Sequence, residues 1–160
     1  MKKVIFILVA IILPGLLCAK DDKSTDALLR EIDGIIKNRQ TYGAEKETRI
    51  ADLKKLLSEA ASDEQRYGFC GRLFDEYRAY NLDSSFVYAQ RKQDLAHRLN
   101  KSDYLDDSAM NMAEVMGTTG MYKEALELLG EIDKKTLPDY LYSYYYHLYH
   151  TIYGLMGDYA

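Results

Sequence analysis

The stretch GMYKEALELL, Gly120 to Leu129, carries the punctuation of a bend between two helices. A glycine suits the left-handed backbone position that closes a helix. Tyr122 then opens a new helix, and Ala125 and Leu129 follow four residues apart, on one face. A small residue and a bulky one on that face are what two closely packed helices need. The stretch GDYA, Gly157 to Ala160, begins the same way, with Gly157 and Tyr159 standing for Gly120 and Tyr122. The echo lies one repeat length downstream. It leads to the expectation that the chain is the front piece of something longer, with its last repeat incomplete.

Working outward, SDYLDDSAMNMAEVMGTTG reads as a first helix ending at Gly120, and MYKEALELLGEID as its return helix. A loop with Pro138 follows, and DYLYSYYYHLYHTIYGLMG is another first helix, closed by Gly157. Upstream, Ser62 caps a helix whose apolar face is Tyr67, Cys70, Phe74 and Tyr77. NLDSS makes a turn, and SFVYAQRKQDLAHRLN returns with Phe86, Ala89, Leu95, Ala96 and Leu99 inward. Asp63 to Asn100 is thus one antiparallel hairpin. Helix pairs recurring at about 34–40 residues are the signature of a solenoid. The expected fold class is all-α, a helical-hairpin solenoid over residues 63–160. A plain helical bundle is the alternative.

Residues 24–60 form the element before the repeats. Ser24, Thr25 and Asp26 offer N-caps, and Leu28, Ile32, Ile35, Tyr42, Leu53, Leu56 and Ala60 fall on three- and four-residue steps. The pattern predicts one long amphipathic helix with a polar waist at Arg39, Lys46 and Arg49, and a bend or break near Gly43. It is expected to lie on the repeats, with a coiled coil as the alternative.

The chain begins MKKVIFILVAIILPGLLCAK. Two lysines, an apolar run from Val4 to Leu13 and a small residue at Ala19 are the parts of a secretory signal over residues 1–19. Lipid attachment at Cys18 and an uncleaved anchor are the alternatives. Removing Lys2 and Lys3 from 21 basic residues leaves 19 against 25 acidic, a net charge of −6. That balance argues against nucleic-acid binding by this chain. After cleavage Cys70 stands alone, so no internal disulfide can form, and its apolar neighbours mark a buried structural thiol.

Gly120, Tyr122, Ala125 and Leu129, with Pro138 near the expected offset, resemble the tetratricopeptide repeat. Upstream, Ala109, Met112, Ala113 and Met116 occupy the repeat's first-helix places by spacing, though mostly not by identity. In the preceding hairpin Tyr80, Leu82 and Ser85 take the glycine, tyrosine and small-residue places. The blocks LLREIDGIIKNRQTYGAEKETRIADLKKLL, YNLDSSFVYA, GMYKEALELL and LPDYLYSYYYHLYHTIYGLMGDY together resemble the start of Bacteroidetes tetratricopeptide-repeat transcriptional regulators. That resemblance implies an exported sensor region followed by a membrane helix and a DNA-binding end, neither of which this sequence contains.

No catalytic or phosphate-binding motif is present. His147 and His150 stand three residues apart but lack the further ligands a metal needs. Asp103, Asp106 and Asp107 with Ser102 read as a capped acidic first turn rather than a calcium loop. The charges in RKQ and DKK read as solvated. The tyrosines of the last helix are the anomaly. Tyr142, Tyr145, Tyr146, Tyr149 and Tyr153 are expected to pack between repeats. Tyr140, Tyr144 and His147 are candidates for a groove that meets a protein or peptide partner. The expectation is a non-enzymatic, cofactor-free recognition domain in the periplasm, the sensor part of a membrane-anchored regulator. It would touch a membrane only through its signal, an anchor or a missing C-terminal part. The rivals are a stand-alone envelope scaffold and, more remotely, a small hydrolase.

Overall fold

The structure, a computed structural model, describes residues 22–158. The expected signal over residues 1–19, Tyr159 and Ala160 lie outside them. The described residues form seven helices and no strand: α1 (Asp22–Lys37), α2 (Arg39–Glu59), α3 (Asp63–Tyr77), α4 (Leu82–Leu99), α5 (Ser102–Thr118), α6 (Tyr122–Gly130) and α7 (Asp139–Asp158). The fold is all-α and of the helical-repeat kind. Two units are distinguished, one ending at Glu45 and the other beginning at Lys46.

In the first unit the expected bend at Gly43 is displaced to Asn38. The Asn38 amide is shared between the carbonyls of Gly34 at 3.1 Å and Ile35 at 3.2 Å. This tightens the last turn of α1 and ends it. Asn favours such a site because its short amide side chain competes with helical bonding. Gly43 sits inside α2 instead. Leu28, Ile32, Ile35 and Tyr42 are all at least half exposed within this unit. The second unit holds the stripe's other end. There Leu53 and Ala60 are buried, together with Ile50, which the spacing had not selected, while Leu56 remains exposed.

The second unit is the repeat array. Helices α3 and α4 form the first hairpin, α5 and α6 the second, and α7 packs on both α5 and α6 as the next first helix. Local signals fix the boundaries. Ser62 accepts from the Gln65 amide at 3.2 Å, and the Gln65 side chain accepts from the Ala61 amide at 2.8 Å. This is a reciprocal cap. Asn81 caps α4 through the Ser84 amide at 2.9 Å. Asn100 ends α4 in the left-handed region, at φ 48°. The close of α5 is a Schellman motif. Gly120 has φ 85°, its amide bonds the Gly117 carbonyl at 3.2 Å, and the Met121 amide reaches Met116 at 2.8 Å. The opening stretch therefore is a hairpin bend. Of its echo, Gly157 is helical, one residue before the end of α7, and Tyr159 lies outside the described residues. Ser102 does not cap α5 either, since Lys101 occupies that position without a side-chain bond.

Two cores result. The first gathers Ile50 and Leu53 of α2, the inner faces of α3 and α4, and Met112 and Val115 of α5. The second joins Met110, Ala113, Ala125, Leu129 and Ile132 to Leu137, Leu141, Tyr145, Leu148 and Ile152. Ala113, Ala125 and Leu129 are fully buried, as the repeat spacing requires, and so is Ser85 at the equivalent small place of the first hairpin. Gly117 marks a close approach of α5 to α7, where an added Cβ would lie 2.8 Å from Ile152 Cγ1.

Phe86 departs from its expected inward place. The buried stripe of α4 runs through Ser85, Tyr88, Ala89, Lys92, Leu95 and Ala96, which turns Phe86 outward at 44% exposure. Tyr146 and Tyr153 are likewise exposed rather than packed between repeats. Their rings lean on those of their own helix. Tyr145 meets Tyr146 edge-on at 5.4 Å and Tyr149 at 5.0 Å, and Tyr149 stacks on Tyr153 at 6.2 Å. Rings four residues apart shield one another, so α7 carries tyrosines on more sides than its neighbours cover.

Cys70 is 1% exposed, and burial pushes its thiol up from its ordinary range. Thiolate is the reactive form. Alkylation of Cys70 by iodoacetamide, read by peptide mapping apart from Cys18, is therefore expected to track global unfolding with denaturant. Rapid labelling of the folded chain would contradict this burial.

Candidate interaction groove

The first helices of the two hairpins, α3 and α5, share one face with α7. A pocket of about 440 Å³ opens there, lined by Tyr67, Gly68, Gly71, Arg72 and Asp75 of α3 and its C-cap Arg78, Lys92 of α4, Asp107 and Asn111 of α5 and Tyr144 of α7. Its floor is a polar network that the sequence did not disclose. Lys92 is only 5% exposed. Its ammonium lies 2.7 Å from Asp107 Oδ2 and donates to Asn111 Oδ1 at 2.6 Å. It also sits 5.0 Å from the centre of the Tyr67 ring. A buried lysine needs such partners, since an unpaired ammonium is costly away from water.

The network continues in both directions. Tyr67 donates its hydroxyl to Asp107 Oδ2 at 2.6 Å, and its ring stacks on Tyr104 at 4.2 Å. On the other side Asn111 Nδ2 donates to the Tyr144 hydroxyl at 3.0 Å. Tyr144 donates in turn to Glu114, which accepts from Arg78 Nη1 at 3.1 Å. The chain Tyr67–Asp107–Lys92–Asn111–Tyr144–Glu114–Arg78 thus ties four helices together. Burial, reinforced by the neighbouring carboxylate, pushes the phenols of Tyr67 and Tyr144 far above their ordinary range. Both remain neutral donors. Among the described residues no buried side-chain nitrogen or oxygen lacks a partner.

The three groove candidates separate. Tyr144 lines the pocket. Tyr140 is 68% exposed and reaches Asp103 Oδ2 at 3.5 Å, while His147 is exposed and does not line the pocket. Two readings are corrected. Lys92, within RKQ, is buried rather than solvated, and Asp107 is a network member rather than merely part of a capped acidic first turn. Lys92 had a signal in its spacing: it falls on the same stripe as Ser85, Ala89 and Ala96. A charged residue on an apolar stripe marks a built polar site or an error in the stripe. Among the described residues no three His, Cys, Asp or Glu side chains converge to hold a metal.

The hairpins, the Schellman close at Gly120 and the shared face of α3, α5 and α7 are those of a tetratricopeptide-repeat array. A family model described as the SusR N-terminal TPR domain matches residues 36–160. The chain belongs to that family. The SusR-type match begins near the end of α1 and covers both cores. No curated protein and no solved structure matches the chain. Repeat domains of the tetratricopeptide kind present stacked helix faces for binding other proteins, and the pocket here lies on such a face.

Proposed function

We propose that this chain is a non-enzymatic domain that recognises a protein or peptide in the periplasm, as the sensor part of a membrane-anchored transcriptional regulator. The observation that carries the reading is the single hydrogen-bonded network under the pocket, spanning the two hairpins and α7. An occupant of the pocket competes directly for the Tyr144 hydroxyl. Any loss of its bonds to Asn111 or Glu114 loosens α7 from α5, so occupancy is converted into a change in repeat packing. Family membership supports the regulatory setting, and the lysine-led apolar start supports export.

Tyr144→Phe keeps the ring and removes the hydroxyl. In a strain carrying the full gene, it is expected to change the transcripts of the regulated genes at unchanged protein abundance. An unchanged transcript profile would remove support for the sensor reading. Location is tested separately by fusing alkaline phosphatase after Asp158. An active fusion is expected, and an inactive one would overturn export.

A further inference from the structure

Leu82, Phe86 and Val87 of α4 and Met121, just before α6, are each 40–45% exposed. They are not scattered. Together with Val115 and Met116 of α5 they wall a pocket of about 570 Å³, between the start of α4 and the close of α5. This pocket shares no residue with the groove at Tyr144. Its size falls within the roughly 300–1,000 Å³ of small-molecule sites, and its lining is of the apolar kind that such sites use. Met116 and Met121 add unbranched side chains that adapt to an occupant.

The polar groups at this pocket select its occupant. The Thr119 hydroxyl is already shared between the carbonyls of Val115 at 2.9 Å and Met116 at 3.0 Å. The amides of Gly120 and Met121 bond Gly117 and Met116. The α5 side therefore has no free donor for the carbonyls of a peptide main chain, which cost free energy when buried without partners. An aliphatic chain carries no such groups. Asp83, in the first turn of α4, is the single charged residue of the lining. Among the described residues no cation lies within ion-pairing distance of it. A lone carboxylate beside an apolar pocket favours a cation and disfavours an anion.

We propose that this pocket binds an aliphatic ammonium, with the alkyl chain on Phe86, Val115, Met116 and Met121 and the ammonium at Asp83. The site is independent of the Tyr144 groove, so its failure leaves the recognition reading standing. Three probes of equal chain length test it: n-octylammonium, 1-octanol and octanoate, each below its micelle concentration at low salt. Acetyl-Leu-Leu-Lys-amide presents the same apolar and cationic groups on a peptide backbone. Occupancy is read from the methionine methyl resonances of the full chain. Met116 and Met121 stand in the pocket, while Met156 is exposed on α7 and registers non-specific adsorption.

Octylammonium is expected to move Met116 and Met121 with a Kd of about 1 mM or tighter, and to leave Met156 in place. It is expected to bind about threefold tighter than octanol and about tenfold tighter than octanoate, the range set by one exposed ion pair. Asp83→Asn is expected to erase the difference between octylammonium and octanol. Because that ratio is measured within the variant, a change in its stability does not disturb it. Phe86→Ala is expected to weaken all three probes about fivefold, through lost apolar contact. The peptide is expected to bind more weakly than octylammonium. The assignment is overturned by still Met116 and Met121 resonances, or by equal movement of Met156. It is overturned as well if octanol, octanoate or the peptide binds as tightly as octylammonium, or if the preference survives in Asp83→Asn.

Discussion

A chain cut before Lys135 is expected to lose its second core and, with it, cooperative unfolding of the repeat array. The segment removed supplies Leu137, Leu141, Tyr145, Leu148 and Ile152, half of the buried residues in that core. Burying one such side chain is worth about 1.5–3 kcal/mol. Five of them together approach the roughly 5–15 kcal/mol that holds a whole domain folded. The deletion also removes the ordering cost of its own residues, so the loss falls on what is left exposed: Met110, Ala113, Ala125 and Leu129. Helix α6, nine residues long, is too short to persist by propensity alone. Amide exchange is therefore expected to become fast throughout α6 and along the second-core face of α5. Protection should survive around Leu73, Phe74 and Ala89, which belong to the first core. Exposed apolar surface of this kind also promotes aggregation. A truncated chain with the same melting midpoint and the same exchange pattern would refute the stacked-repeat account.

The array was legible because its punctuation is local. Gly120 is needed at φ 85° whatever surrounds it, and Ala125 and Leu129 declare a buried face by size and spacing alone. Ser62 and the four apolar residues of α3 behaved the same way. Legibility failed where a residue's state is set by another helix. Phe86 was placed inward because it is large, yet which side of α4 is covered depends on the approach of α3 and α5. Tyr146 and Tyr153 were assigned partners in another repeat, although rings on their own helix supply them. The break at Asn38 rather than Gly43 shows that intrinsic propensity is a weak guide to where a helix ends. The site was the least legible part. Tyr144 was selected by its face, but Lys92 and Asp107 belong to segments that read as ordinary surface charge. Only the α4–α5 packing brings them within 2.7 Å.

Asp107→Ala is expected to destabilise the chain by about 3–5 kcal/mol, while Lys92→Met costs about 1 kcal/mol or less, because the two ends of the pair are not equivalent. The Lys92 side chain is 7% exposed and that of Asp107 is 24% exposed. Without Asp107 the ammonium keeps only the neutral Asn111 oxygen and the Tyr67 ring, with little access to water, and Tyr67 keeps only the Tyr104 carbonyl as acceptor. Without Lys92, Asp107 retains the Tyr67 hydroxyl and some hydration. Met fills the space of the lysine stem with no charge to satisfy. Chemical denaturation of the two variants and of the double variant tests this directly. In the Lys92→Met background the cost of Asp107→Ala should fall to about 1 kcal/mol, since the buried charge that made it expensive is gone. Equal losses for the two single variants, or the reverse order, would contradict a network built around a buried ammonium. The stable variant has a further use. Lys92→Met cuts the connection between Asp107 and Asn111 and leaves Tyr144 bonded to Asn111 and Glu114. If occupancy of the pocket at Tyr144 is communicated along the network, this protein should still respond at Glu114 and Arg78 and no longer respond at Asp107 and Tyr67.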